Sequence, residues 1–489
     1  MASRTTQSQQ TTNFFEGGSN INLNESNIVA GNHNTVVTNN VNSSSSWLEL
    51  LASHCAHDAL VDSKERYDPP HCAPNTREAI QREIVDWINT LTLVGLVMWL
   101  NGSAGAGKSA ITQTIAERIK NEATPSASFF FSRISGSPTR VNGDCLLPTI
   151  IYQLCQLIPE YRRSVMKKLK TDPSIFELSR SSQMAILFTK PLQRFSFTQM
   201  LRNLRRRPIP IVIIIDGLDE CRDSEVQCDL LRILADAAAS VRRRPLRILI
   251  ASRPEAHITR TFDQHPRFRE GGLRRINLDE DQDASMDILT LLRQGFHKIH
   301  REHPLRKYLD PSWPTQDHLD FLVSKSSPQM MLASTAMSYI ASPKHRPTDR
   351  LITVITLLSK PTSSLSDRPL QRLDSLYAFI FGSTEVENRE ILQAILGILH
   401  LSSLKEFHLP PPTPAFIEKA LGLQPGDAYL YLEPIISVIH LPEHPERPIR
   451  SLHASLFDFL LNPARSNELA LNLDYGYAGL VGHFFLQSE

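Results

Sequence analysis

Gly102-Ser103-Ala104-Gly105-Ala106-Gly107-Lys108-Ser109 is a complete G-x-x-x-x-G-K-S, set between an apolar run over residues 96–100 and a helical pattern over 108–119. Glycines at these positions let backbone N–H groups turn inward around phosphate oxygens, the lysine reaches the outer phosphates, and the following hydroxyl ligates Mg2+. The positive end of the next helix strengthens the anion site. Residues Gly102, Ser103, Ala104, Gly105, Ala106, Gly107, Lys108, Ser109 and Ala110 are therefore expected to hold ATP or ADP with Mg2+, Ser109 being a metal ligand. GTP stays open as an alternative base.

Outward from this loop, five apolar runs have strand length: 93–100, 126–131, 209–215, 246–252 and 275–278. Helical stretches separate them, for instance 108–119 and 226–239. Strands without alternation, joined by helices, predict an α/β fold with a parallel sheet covered on both faces. The third run ends in Asp216-Gly217-Leu218-Asp219-Glu220. An acid at that strand tip stands beside the phosphate loop, where Asp216 can hold Mg2+ through water. Glu220, or else Asp219, then orients an attacking water. Arg253 closes the fourth run, where a cation can read a terminal phosphate.

The chain has 489 residues, enough for about three domains at roughly 150 residues each. Hydrophobic residues make up 41% and charged residues 21%, and the net charge is +1. That balance gives no global field for nucleic acid or an anionic membrane. The apolar run at 93–100 is far short of the roughly 18 residues a spanning helix needs, and the N-terminus lacks a signal-peptide core. Six scattered cysteines form no C-x-x-C pair, which argues against a zinc ribbon or a disulfide scaffold. A reduced, cytoplasmic setting is expected.

Composition changes sharply near residue 46. Asn, Ser, Thr and Gln supply 27 of the first 46 positions, and only Arg4, Glu16 and Glu25 are charged there. Such a segment cannot bury enough apolar area to offset its chain entropy and is expected to be disordered. After it, Ile80, Ile84, Trp87, Ile88 and Leu91 fall at helical spacing, with Asn75 and Glu78 reading as a capping box. Residues 283–382 read as helical, broken at Pro304, Pro311, Pro328, Pro343 and Pro361. Over 385–462 the pattern is helix, Pro-rich turn, short helix, longer helix, hairpin and helix. The expected organisation is an arm (1–46), a helical lead-in (47–92), a P-loop domain (93–280), a helical domain (281–384), a winged-helix domain (385–465) and a tail (466–489).

The phosphate loop, the Asp216–Glu220 box and Ala251-Ser252-Arg253-Pro254 together resemble the NACHT-type, nephrocystin-like NTPases of fungal NLR-like proteins, within the STAND class. The resemblance runs from about Tyr67 to Arg465. It includes Cys72-Ala73-Pro74-Asn75-Thr76-Arg77-Glu78, Asp172-Pro173-Ser174-Ile175-Phe176 and His453-Ala454-Ser455-Leu456-Phe457-Asp458-Phe459-Leu460. It implies a helical and a winged-helix domain folded over the nucleotide, with a histidine, here His453, on the ADP β-phosphate. It also implies that Arg77 lies near the adenine or ribose. Pro328 replaces a usual glycine in the helical domain, and the ligand-sensing repeats common after the winged helix do not follow before Glu489.

In the arm, Ile28-Val29-Ala30-Gly31-Asn32-His33-Asn34-Thr35-Val36 resembles RHIM-type amyloid signalling motifs. Uncharged alternation of Asn with β-branched residues can stack in register between chains; an ordinary polar tail is the alternative. The function expected from the whole is a signalling switch, closed with ADP and self-associating through the NTPase domain with ATP, with slow hydrolysis. An effector or sensor would act in trans. Two other readings stand beside it: a DNA-acting ATPase with a winged helix, and a nucleotide-bound scaffold without turnover. Residues 413–440 hold one cation, Lys419, against three acids, which speaks against nucleic acid as a partner.

Overall fold

The computed structural model describes residues 46–66, 69–90, 95–133, 137–194, 210–241, 246–281, 283–360, 370–402, 409–453 and 455–486. The amyloid-like motif, the 205–207 and 242–244 arginine runs, Pro361 and Ala454 lie outside them.

Five strands, β1 (Val97–Asn101), β2 (Ser126–Phe130), β3 (Ile211–Asp216), β4 (Leu246–Ser252) and β5 (Leu273–Asn277), form one parallel sheet in the order β2-β3-β4-β1-β5. Every residue of β1, β3 and β4 is buried. The reason is visible in which side chains go where. Ile211, Ile213 and Ile215 pack with Ile248, Ile250 and Trp99 on one face, while Val212 and Ile214 pack with Leu249, Met98 and Leu100 on the other. Two-residue periodicity is present, but both faces are apolar, so it does not show as polar alternation.

Helices α1 (Ser46–Ser53), α4 (Leu146–Leu157), α5 (Pro159–Thr171), α6 (Ser224–Ser240) and α7 (Ala256–Gln264) cover the first face. The second face is covered by α2 (Glu78–Asn89) and α3 (Lys108–Asn121). Because all five strands run the same way, the loops leaving β1, β2, β3 and β4 emerge at one edge. That edge is where such folds bind ligands.

A second core lies outside the sheet domain. It joins α8 (Ala284–Glu302), α9 (Gln316–Ser326), α10 (Met330–Ile340), α11 (Pro347–Ser359) and α12 (Gln371–Gly382) to α13 (Arg389–Leu401), α14 (Pro414–Leu421), α15 (Asp427–Leu432) and α16 (Ser455–Leu460). The helical region and the helix-hairpin region thus share one core. The hairpin pairs β6 (Ile439–His440) with β7 (Arg450–Ser451) and delivers the chain to α16. Pro304, Pro311, Pro328 and Pro343 fall between helices, as expected from the missing N–H.

Three expectations are corrected. The second helix after the Pro-rich turn is the shorter one: α15 has six residues against eight in α14, and it continues as a 3-10 turn over Glu433–Ile435. Residues 473–486 are not a tail but helix α17 (Leu473–Leu486). Its Gly476 sits so close to Gly397 of α13 that an added Cβ would lie 2.8 Å from the Gly397 carbonyl carbon. The capping box at Asn75 does not form. Arg77 occupies the N-cap with a left-handed φ of 55°, and its N–H goes to the Asp287 carboxylate at 2.9 Å. A carboxylate from α8 outcompeted the local cap.

Candidate functional site

Loop residues 102–107 connect β1 to α3 and adopt the conformation their glycines permit. Gly105 has φ +80° and Gly107 has φ +98°, both in the left-handed region where a side chain is strained. Ala104, Gly105, Gly107, Lys108, Ser109 and Ala110 line a cavity of about 580 Å3. Gly102, Ser103 and Ala106 shape the loop from behind: Ala106 is buried, and Ser103 donates both N–H and hydroxyl to Asp279, at 2.7 and 2.8 Å.

Lys108 points its Nζ at the carbonyls of Gly102 and Ser103, at 2.8 and 2.9 Å. Burial lowers its pKa, and the carboxylate of Asp219 works against that shift. Asp216, at the tip of β3, is 4% exposed and accepts hydroxyl hydrogen bonds from Ser109 and, at 2.8 Å, from Thr112. Burial raises its pKa while those hydroxyls oppose the rise. The two expected metal ligands are therefore together, one hydroxyl and one carboxylate. That oxygen donor set, with room left in the cavity, fits a Mg2+ that draws its remaining ligands from phosphate and water.

Glu220 accepts the Arg133 N–H at 2.9 Å, and its pKa is pushed up to about 7 by burial and by the neighbouring charge of Asp219. Asp219 is occupied otherwise. It accepts the Arg253 backbone N–H at 3.0 Å and pairs with the same guanidinium at 3.3 Å. Of the two acids offered for orienting water, Glu220 is the freer. Arg253, expected to read a terminal phosphate, is instead held between Asp219 and Asp458.

Arg77 lines the cavity, but its guanidinium is committed to Asp281, Asp287 and the Ala106 carbonyl. It braces the phosphate loop against α8, and contact with adenine or ribose is not what its donors serve here. His453 lines the same cavity as Lys108, on the segment between β7 and α16. Burial pushes its pKa down to about 4, so the ring is neutral at pH 7. Pro328 does not reach the cavity; Met330 and Met331, just after it, do.

Several partners have no sequence signature. Met331 donates its N–H to the Gly105 carbonyl at 3.2 Å, and a Cβ on Gly105 would meet the Met331 side chain at 2.4 Å. The Met331 sulfur in turn lies 3.3 Å from the Ser455 hydroxyl, which is 3.0 Å from the Tyr377 hydroxyl. Arg66 and Arg140 also line the cavity, each more than nine-tenths buried. An arginine in a mixed-charge turn (Lys64-Glu65-Arg66) or in a loop (Thr139-Arg140) reads as solvated, so nothing local marks either.

The six cysteines are free thiols, and no described helix is long and apolar enough to cross a membrane.

Residues 78–253 match the family model described as nephrocystin 3, N-terminal. No curated protein matches the chain. Among solved structures, it is similar to a Walker-type ATPase of Pyrococcus abyssi at 15% identity, covering 79% of this chain and 97% of that one with a TM-score of 0.37. The Aeropyrum pernix ORC2 protein in ADPNP–ADP complexes is 13% identical over 88% of this chain and 99% of its own, with a TM-score of 0.34. The ORC1 protein of the same organism, in complex with DNA, is 12% identical over 86% and 95%, with a TM-score of 0.33. The family match opens at the first residue of α2 and closes at Arg253, so the span that is similar to the nephrocystin 3 N-terminal family is the one that builds the phosphate end of the cavity.

Proposed function

We propose that this chain is a nucleotide-operated signalling switch of the STAND class, closed with ADP and opening to self-associate with ATP. The observation that carries the reading is one cavity wall made by both halves of the chain. Lys108 and Ser109 share it with Arg450, His453 and Ser455. A nucleotide held there touches the NTPase domain and the helix-hairpin region at once, so its phosphate state acts on the contact between them.

Ser109 and Asp216 would hold Mg2+, whose positive charge offsets that of the phosphate oxygens. Lys108 leaves its own loop carbonyls for the phosphates. Glu220, as carboxylate, takes a proton from the attacking water, and turnover is expected to be slow. His453 contacts the diphosphate and holds the lid shut. Two further contacts belong to the closed arrangement: Arg253 with Asp458, and Met331 on Gly105. Shifting a two-state equilibrium from 1:99 to 99:1 takes about 5.5 kcal/mol. A single hydrogen bond supplies about 0.5–1.5 kcal/mol, so these contacts must be lost together.

Assembly through the NTPase domain would gather the N-terminal arms, with the effector or sensor supplied in trans. The role proposed for such a switch is NLR-like innate immunity or incompatibility and cell-death signalling, without nucleic acid as a partner. Gel filtration with light scattering tests it. Wild type is expected to be a monomer in ADP and larger in a non-hydrolysable ATP analogue. Lys108→Ala is expected to bind about tenfold to a hundredfold more weakly and to stay monomeric. The same mass in both nucleotides overturns the switch.

A further inference from the structure

Two buried arginines face the nucleotide cavity. Arg66, in the 3-10 turn Lys64–Arg66, is 7% exposed, and Arg140, in the loop after β2, is 8% exposed. Arg66 donates to the carbonyls of Leu60 and Val61 at 3.4 and 3.2 Å, and its guanidinium carbon lies 3.6 Å from the centre of the Phe130 ring. Arg140 donates its Nε–H to the Phe130 carbonyl at 3.0 Å. Among the described residues neither forms an ion pair. Phe130 is the residue in register with Asp216 on the neighbouring strand. Both guanidinium groups are thus fastened one strand away from the carboxylate assigned to Mg2+.

This arrangement is costly as it stands. Two cations withdrawn from water each lose hydration, and they repel one another. Burial lowers the pKa of both, that of Arg66 to about 9, with Arg140 adding to the fall. Nearby carboxylates offer part of the balance, Asp216 and Glu117 to Arg66 and Asp58, Glu220 and Asp216 to Arg140, none of them at ion-pair distance among the described residues. Ser109 and Thr112 already occupy the oxygens of Asp216. An anion with several charges, arriving beside Asp216 and Glu220, would offset the cost. The inner phosphates of a nucleotide have the amides opening α3, and Lys108 is a single cation shared between the β- and γ-phosphates. Arg253 is paired twice over. The outermost phosphate is therefore the group with the most charge still to be offset, and the two arginines are the cations available to it.

We infer that Arg66 and Arg140 bind the terminal phosphate of a nucleoside triphosphate, which makes the turn before the NTPase domain part of the device that tells triphosphate from diphosphate. The assignment rests on the nucleotide reading above.

Calorimetry with ADP and with a non-hydrolysable ATP analogue, on full-length wild type, Arg66→Gln, Arg140→Gln and Lys108→Ala, tests this. Each glutamine variant is expected to lose about tenfold or more in affinity for the triphosphate and less than about twofold for ADP. Without nucleotide, both should melt at or above the wild-type temperature, because a buried repulsion has been removed. An unchanged triphosphate-to-diphosphate preference in a folded variant overturns the assignment. If a glutamine variant fails to fold, the lysine variant at that position keeps the charge but loses the planar fork. Its preference for triphosphate is expected to fall, and an unchanged preference again overturns the idea. Lys108→Ala should weaken both nucleotides; if it weakens neither, the nucleotide reading itself fails and this assignment falls with it.

Discussion

Arg253 Nη1 lies 2.7 Å from Oδ2 of Asp458, an ion pair that ties the end of β4 to α16. Burial works against the arginine's charge, but Asp458 and Asp219 more than offset it, and its pKa is raised. Arg253, expected from the sequence to read a terminal phosphate, is thereby held on the helix-hairpin region. The two side chains are 28% and 35% exposed, so the pair contributes at most about 1 kcal/mol. Asp458→Asn is expected to free Arg253 and favour opening. Competition calorimetry should show affinity for an ATP analogue rising, and affinity for ADP falling, by up to about fivefold.

If Glu220 is the base of the proposed hydrolysis, the step carries a pH signature. Its carboxyl, pushed up to about 7, is protonated below that pH and ionised above it. A general base works only when ionised, so turnover should climb as pH rises through about 7 and level off beyond. Glu220→Gln is expected to bind nucleotide as wild type does, to lose about a hundredfold or more in rate, and to show no such climb. A flat wild-type profile in a steady-state phosphate-release assay would move the role to Asp219 or to no side chain here.

His453 should couple ADP binding to proton uptake. The free ring is held neutral by burial, with its pKa down at about 4. A diphosphate beside it favours the charged ring and pulls that pKa back up, so binding takes up a proton and tightens as pH falls toward 6. Calorimetry in buffers of different ionisation enthalpy measures the uptake directly. His453→Leu is expected to abolish it and to weaken ADP by about 1–3 kcal/mol. An unaltered proton count in the variant makes His453 a structural residue.

Gly105 reports on the link between the phosphate loop and α10. Gly105→Ala would place a Cβ at φ +80° and within 2.6 Å of the Met331 Cβ. The expected cost is about 1–3 kcal/mol, read as a fall in melting temperature, from backbone strain plus overpacking. Met331→Ala on its own should cost about 2–5 kcal/mol, because the side chain is buried. In the double variant the contacts with the Met331 Cε and Sδ are gone while the Cβ–Cβ contact and the φ strain remain, so the two costs should fall somewhat short of adding. Strict additivity would mean that the loop and the helix are not in contact in solution.

The sheet domain was legible because its determinants are local. Unbroken apolar runs joined by helical patterns specify buried parallel strands, and β4 begins and ends where its run does, Leu246–Ser252. The phosphate loop is equally local: glycine spacing decides the backbone, and the backbone decides where Lys108 and Ser109 stand. Asp216 followed from the same logic, since a lone acid closing a β-branched run must leave the sheet at the edge the loop occupies.

What only the tertiary structure decided is how the charges pair. Arg77 meets Asp281 and Asp287 across more than 200 positions of chain, and that contact displaced a local capping box. Arg253 took Asp458 from a helix near the other end of the chain, whereas Arg66 and Arg140 form no ion pair among the described residues. Composition and periodicity record whether a residue suits burial and which backbone it favours. They carry no information on which opposite charge will arrive within 4 Å, because that depends on how separate elements dock. The sequence by itself determined a phosphate-binding α/β domain; docking of the second core onto it decided which cations are spoken for and which remain to meet a ligand, since a buried charge is tolerated only where a partner or an anion offsets its lost hydration.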